Sequence, residues 1–357
     1  MSFFAKLFGF GEPQPLPRPS IPCPYCISEV TVFTDAVTCP NCRLPLPPRY
    51  LKKYHDAPAL FLPMMGPPNA GKSNFLTALT VAVVSGHQFW NELDSYALTD
   101  DTDSFLTEVK QRVGEGDLPA RTVKSAEKIA YTLQVLHLPR WQDRTWILRD
   151  VAGEDFIKRK IDDAQVPFLI HSSTAFLFFD FNGKDPGAGN QADCGRGIDQ
   201  VFKAFVMGLE EKGISFDRQH NRKVVIVLTK ADRLDLPAPL ARYLQEDEHW
   251  DEGQRRILTN GYSYFTRESM VRYMDNLRSV STQLREWIKT KPGGKGLLNA
   301  ADITHKIELH FCMISAIPCG VEEGEDGKFK PKGKWQEPLR VLDPLYWALE
   351  LNSEPTT

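Results

Sequence analysis

Ala59-Leu60-Phe61-Leu62-Pro63-Met64-Met65-Gly66-Pro67-Pro68-Asn69-Ala70-Gly71-Lys72-Ser73 decides the fold. Its first seven residues form an apolar run of strand length. Gly66 to Ser73 then fits G-x-x-x-x-G-K-[ST], and a helical pattern follows over 72–84. Strand, loop and helix in that order are the context this motif requires. Backbone N–H groups of such a loop, with the N-terminus of the next helix, converge on an anionic oligophosphate. Gly71 permits close backbone approach, Lys72 places a charge on the β/γ-phosphates, and the Ser73 hydroxyl is the expected Mg²⁺ ligand. Asn69, Ala70, Gly71, Lys72, Ser73 and Asn74 are the loop's candidate nucleotide contacts.

Downstream, Asp150-Val151-Ala152-Gly153 closes a second apolar run. An Asp at the carboxyl end of a strand beside the first one can hold Mg²⁺ through a water. Gly153 lets the chain bend, so that its N–H can face a γ-phosphate. Asp-x-x-Gly alone is a common turn. Its place after a strand and behind a phosphate loop gives it meaning.

A third element, Thr229-Lys230-Ala231-Asp232, ends the run Val224-Val225-Ile226-Val227-Leu228. With it the chain resembles the Ras-like GTPases of the translation-factor-related class of P-loop proteins, whose base-reading motif is [NT]-K-x-D. The resemblance covers roughly residues 59–320. It implies that Asp232 accepts the N1 and N2 hydrogens of guanine, that the Lys230 stem packs over the base, and that Thr229 stands where Asn is more frequent. Ser315-Ala316 resembles the class's fifth motif, whose Ala N–H meets guanine O6, although Pro318 follows where Lys is common.

The class also needs a Thr on a mobile loop before the second strand. Thr122 is the candidate for closing over Mg²⁺ and the γ-phosphate, with Thr99, Thr102 and Thr107 as alternatives. Glu154 stands where many members carry a water-orienting Gln. A carboxylate there is a poor neighbour for a γ-phosphate, which implies hydrolysis that is slow or depends on a partner or dimer contact. Lys72, Thr122, Gly153 and Glu154 are thus the expected catalytic residues, and Ser73, Thr122 and Asp150 the expected Mg²⁺ ligands. Residues 156–170 would form the second switch, made basic by Lys158, Arg159 and Lys160. The implied activity is a GTP-binding switch that hydrolyses GTP, with GTP/GDP and Mg²⁺ as cofactors. A nucleotide-binding scaffold with little or no hydrolysis is the alternative.

Between and beyond these motifs, apolar runs at 59–65, 129–138, 146–151, 175–181, 224–229 and 307–314 predict strands. Helices are predicted at 72–84, 104–113, 197–212, 267–289 and 344–351. The alternation predicts an α/β protein, a Ras-like P-loop three-layer sandwich on a mostly parallel six-stranded sheet. The stretches 85–128, 232–306 and 321–334 exceed what such a sheet needs, and long inserts usually serve surface or partner contacts.

Cys23-Pro24-Tyr25-Cys26 and Cys39-Pro40-Asn41-Cys42 form two Cys-Pro-x-Cys knuckles twelve residues apart. That is zinc-ribbon spacing, and four thiolates would make a closed, structural Zn²⁺ site, with two disulfides or a redox Cys-x-x-Cys as the alternatives. About 20 residues are too few for a core, so the metal must supply the folding energy. An N-terminal metal module on a Ras-like core with long inserts also resembles bacterial "double-GTPase" and related GTPase-associated proteins. Residues 1–22 form an N-terminal segment with a Pro-rich spacer, 23–48 the ribbon, and 59–357 the main domain with a helical insert at about 233–305.

The 357 residues, 42% hydrophobic and 25% charged, are those of an ordinary globular protein. With 43 Lys+Arg against 46 Asp+Glu the net charge is −3, which disfavours nucleic acid as a partner. Phe3, Phe4, Leu7 and Phe8 at helical spacing make residues 1–10 a candidate peripheral membrane or partner-docking hook. A cytoplasmic location is expected, with membrane association through that hook as an option. The expected partner is an effector or regulatory protein, another GTPase or a second copy of the chain among the candidates.

Overall fold

The computed structural model describes residues 20–32, 37–86, 94–115, 130–138, 140–150, 166–181, 197–246, 266–323, 329–332 and 337–353. Two short strands, β1 (Ser20–Pro22) and β2 (Glu29–Thr31), pair antiparallel in the cysteine module. Helix α1 (Pro48–Lys53) follows, opened by a proline in its first turn, where no amide hydrogen is needed.

The central sheet is built from β3 (Ala59–Met65), β4 (Asp94–Ala97), β5 (Ala130–Leu136), β6 (Arg144–Asp150), β7 (Thr174–Phe179), β8 (Lys223–Leu228) and β9 (Glu308–Met313). Their order is β4-β5-β6-β3-β7-β8-β9. Strands β6, β3, β7, β8 and β9 run parallel, and β5 and β4 complete one edge antiparallel. Every residue of β7 is buried, as are all but the first of β3 and β8. Parallel strands covered on both faces read as continuous apolar runs for this reason.

All six expected strands are present and the α/β class holds, but the sheet has a seventh strand. Asp94–Ala97 has four residues, none of them buried, so it carries no apolar run to betray it. It lies inside the stretch 85–128 and extends the antiparallel edge.

Strand residues alternate between the two faces. Leu60, Leu62, Met64 and Leu148 join the main core. Phe61 and Ile147 turn the other way and pack with Phe168 and with Ile27 of the cysteine module. Helices α2 (Lys72–Gly86), α3 (Asp100–Gly114), α4 (Val166–Ile170) and α5 (Ile198–Glu210) follow in chain order, then α6 (Ala238–Gln245), α7 (Arg267–Lys289), α8 (Gly294–Asn299) and α9 (Asp343–Leu351). A short hairpin of β10 (Val321–Glu323) and β11 (Phe329–Pro331) precedes α9.

The stretch 232–306 is more than surface decoration. Thr266 and Ser269 form a capping box at the start of α7. Met270, Tyr273, Met274, Leu277, Val280, Ser281, Leu284, Trp287 and Ile288 then line one buried stripe, the spacing of an amphipathic helix. The helix lies on β9, and Ser281 Oγ accepts the Phe311 N–H at 2.9 Å. No helix among the described residues is long and apolar enough to cross a membrane. The candidate hook at residues 1–10 lies outside the described residues.

Candidate functional site

Strand β3 lies between β6 on one side and β7 on the other, so the loop leaving it opens at the switch point where α/β sheets bind ligands. Gly66 and Gly71 have φ of +146° and +84°, and Asn69 has φ +61°. A Cβ on Gly66 would stand 2.5 Å from the Phe178 carbonyl oxygen, which only glycine avoids. Lys72 opens α2, folds back over the loop and donates to the carbonyls of Gly66 at 2.9 Å and Pro67 at 3.2 Å. Its ammonium lies 4.0 Å from Asp150 Oδ1 at the end of β6.

Burial pushes the Lys72 pKa down, and the Asp150 charge opposes the shift. Burial pushes Asp150 up, against the Lys72 charge and a hydrogen bond from the Ser73 hydroxyl. Asp150 Oδ1 is buried and has no hydrogen-bond partner among the described residues. An acceptor left short of a donor beside a Ser hydroxyl is a fitting place for a divalent cation. Asn74 is half-buried one residue further along α2.

Next to the loop, Gly71 abuts Thr229, whose Cβ would lie 3.5 Å from a Cβ on the glycine. Thr229 is held by its N–H and hydroxyl, which donate to the Phe179 carbonyl at 2.9 and 3.3 Å. Lys230 turns the chain in the left-handed region at φ 51° and starts a short 3-10 turn, Ala231–Arg233. The Ala231 N–H donates to the Ile314 carbonyl at 3.0 Å. Ser315 then donates its hydroxyl to Asp232 Oδ1, so the structure brings the third and fifth motifs together. Ala316 is partly buried beside them, packed against the main core.

Sequence reasoning missed Asp180, whose Oδ2 lies 3.0 Å from Lys230 Nζ. The signal was available: an acidic residue directly follows β7, much as Asp150 ends β6. Thr122, Gly153 and Glu154 lie outside the described residues, as do Lys158, Arg159 and Lys160. Of the alternatives to Thr122, Thr99 and Thr102 are buried and hydrogen-bonded to each other at 2.7 Å. Thr99 Oγ1 accepts the Thr102 N–H at the start of α3, and Thr102 Oγ1 accepts from Thr132 N–H. Both hydroxyls serve the fold. Thr107 is exposed on α3.

The two cysteine knuckles repeat one geometry. In each, the first Cys carbonyl accepts the N–H four residues on (Ile27, Arg43) at 2.9 Å, and its own N–H donates to Ser28 or Leu44 at 2.9 Å. Ile27 and Arg43 both turn at positive φ, 65° and 60°. The Sγ atoms of Cys23 and Cys42 are 3.8 Å apart and those of Cys26 and Cys39 3.6 Å, all four lying within 4.8 Å of one another. Zn–S bonds of about 2.3 Å give tetrahedral edges of about 3.8 Å, whereas a disulfide needs about 2.05 Å. Burial works against the Cys26 thiolate, yet hydrogen bonds led by Ser28 and Asn41 bring its pKa down to about 6. Burial holds Cys23 well above the usual thiol range. The four sulfurs can therefore hold one tetrahedral metal ion.

No family profile matches the chain, and no curated protein does. Solved structures do match. One is the S. cerevisiae Ski7 GTPase-like domain bound to GDP and inorganic phosphate, at 15% identity and TM-score 0.33, covering 86% of this chain and 53% of that one. The same domain bound to GTP gives TM-score 0.32 at the same identity and coverage. Sup35 complexed with GDP gives 10% identity and TM-score 0.26, covering 73% of this chain and 38% of that one. The chain thus spans about half or less of the length of these structures.

Proposed function

We propose that this chain is a Mg²⁺-dependent guanine-nucleotide-binding protein that hydrolyses GTP, slowly or under stimulation by a partner protein. One observation carries the reading. Gly71 of the phosphate loop lies beside Thr229 of the base-reading motif, so near that a Cβ on the glycine would stand 3.5 Å from the Thr229 Cβ, and both follow the carboxyl ends of parallel strands of one sheet.

In this reading Lys72 exchanges its loop carbonyls for phosphate oxygens, and the loop N–H groups hold the same oligophosphate. Ser73 and Asp150 would hold Mg²⁺, which when bound screens the charge of the β- and γ-phosphates. The Lys230 stem lies along the base. Asp232, kept in place by Ser315, accepts hydrogens that adenine does not offer. Thr122, Gly153 and Glu154 complete the γ-phosphate side by resemblance, and Glu154 in place of Gln argues for slow turnover. The four cysteines hold a structural Zn²⁺. An effector protein, rather than nucleic acid, is the proposed partner.

The deciding experiment titrates zinc-replete protein with labelled GTP, GDP and ATP, with and without Mg²⁺. GTP and GDP should bind in preference to ATP, more tightly with Mg²⁺. Asp232→Asn should shift preference to xanthine nucleotides, and an unchanged GTP affinity in that variant rules out the base assignment.

A further inference from the structure

We propose that a buried cluster formed by Tyr243, Tyr273, Arg340 and Asp343 positions Asp232 for base recognition, acting through Leu339 and Ser315. The inference rests on the guanine-nucleotide reading above and names what sets its base selectivity.

Asp343, in the first turn of α9, is fully buried. A buried carboxylate is costly unless its oxygens are satisfied. Here Tyr243 of α6 donates to Oδ2 at 2.8 Å, and Tyr273 of α7 donates to Oδ1. Arg340 is buried as well. Its Nε donates to the Tyr243 carbonyl at 2.7 Å, Nη1 to the Tyr273 hydroxyl at 3.3 Å and Nη2 to the Glu246 carbonyl at 2.5 Å. Its guanidinium lies over the Tyr243 ring, 3.8 Å from the centroid. Arg340 holds φ 57°, a left-handed conformation that is unfavourable for a non-glycine residue. The cluster offsets that cost, and so fixes the path of the chain on either side.

The residue before Arg340 reaches the site. Leu339 and Ser315 form a two-way backbone bridge: Ser315 N–H donates to Leu339 at 3.0 Å, and Leu339 N–H donates back at 2.8 Å. Ser315 Oγ then holds Asp232 Oδ1. Helices α6 and α7, from the stretch after the base-reading motif, are in this way hydrogen-bonded through the cluster to the carboxylate that reads the base. A residue acting at that distance is a positioning residue, and its loss should appear in selectivity.

The test is the Tyr243→Phe/Tyr273→Phe double variant, which keeps both rings and removes two hydroxyls. Affinities for GTP and for ITP, which lacks the 2-amino group, are measured in Mg²⁺ buffer alongside the melting temperature. The GTP-to-ITP affinity ratio should fall about tenfold, with no matching change for an Asp232→Asn background. If the double variant does not fold, Tyr243→Phe alone, which removes the 2.8 Å bond, should lower the ratio by a smaller factor. A folded variant with an unchanged ratio, or with equal losses for both nucleotides, overturns this inference alone. Failure of the unaltered protein to prefer GTP over ATP overturns the nucleotide reading and this inference with it.

Discussion

The guanidinium of Arg149 donates to the Tyr25 carbonyl at 2.8 Å, tying the first cysteine knuckle to the residue before Asp150. Ile27 of the same knuckle packs with Phe61, Ile147 and Phe168, and the Arg149 guanidinium lies 5.0 Å over the Phe168 ring. The cysteine module therefore packs on the sheet's second face. Its loss should be felt by the whole molecule.

If the four sulfurs hold Zn²⁺, a chelator should lower the melting temperature of the intact chain by several degrees, since the metal would tie the two knuckles together and they pack on the sheet through Ile27. Differential scanning calorimetry before and after readdition of Zn²⁺ checks this. A melting temperature indifferent to chelation would mean that the four sulfurs do not hold a structural metal.

Lys72 and Asp150 should behave as a coupled pair. Lys72→Met leaves the buried Asp150 carboxylate without its counter-charge and should cost about 1–3 kcal/mol at neutral pH, while Asp150→Asn in the same chain should restore most of it. The pH dependence follows from the sign of the Asp150 shift. Its folded pKa is raised above 3.8, so the folded protein binds more protons than the unfolded chain between the two values. The cost is present above the folded pKa and is relieved as pH falls through it. Urea unfolding of the four proteins from neutral to mildly acid pH measures both effects, and strict additivity of the two substitutions argues against the pair.

Much of this site was readable because its residues interrupt regular patterns. A phosphate loop breaks a strand from a helix with Gly66 and Gly71, and Asp150 and Asp232 follow apolar runs that can only be buried strands. The partly exposed edge strand Asp94–Ala97 offered no such contrast. Helices α1 and α6 are short, with prolines at their starts, and their periodicity covers too few turns to register. Asp180 and the Arg340–Asp343 cluster depend on partners 50 to 100 positions away. Only the folded chain brings such groups together.

Glu350 joins distant parts of the chain and should govern part of the acid sensitivity. Arg140 donates to it twice, at 3.0 and 2.8 Å, and Trp141 Nε1 once, at 2.9 Å; Arg278 adds a further bond. Burial works against its carboxylate, but these hydrogen bonds and the Arg140 and Arg278 charges outweigh it and lower the pKa. The resulting stability is present above the unfolded value of 4.5 and is lost as pH falls through the lower folded value. Glu350→Gln should cost about 1–3 kcal/mol at neutral pH. It should also flatten the stability profile on the acid side, and a profile parallel to that of the unaltered protein would contradict the assignment.

Gly66 and Gly213 separate two costs that are often merged. Both hold positive φ, +146° and +68°. A Cβ on Gly213 meets nothing within 4 Å, whereas one on Gly66 meets the Phe178 carbonyl oxygen at 2.5 Å. Gly213→Ala bears only the left-handed backbone and should lose about 1 kcal/mol. Gly66→Ala must in addition push the phosphate loop off β7, and should lose about 2–4 kcal/mol. That displacement moves the Gly66 carbonyl to which Lys72 donates, so nucleotide affinity should fall in Gly66→Ala and stay unchanged in Gly213→Ala. Urea unfolding and a nucleotide titration on the two variants decide it. Equal stability losses would show that backbone conformation, and not the close approach to Phe178, makes glycine necessary at position 66.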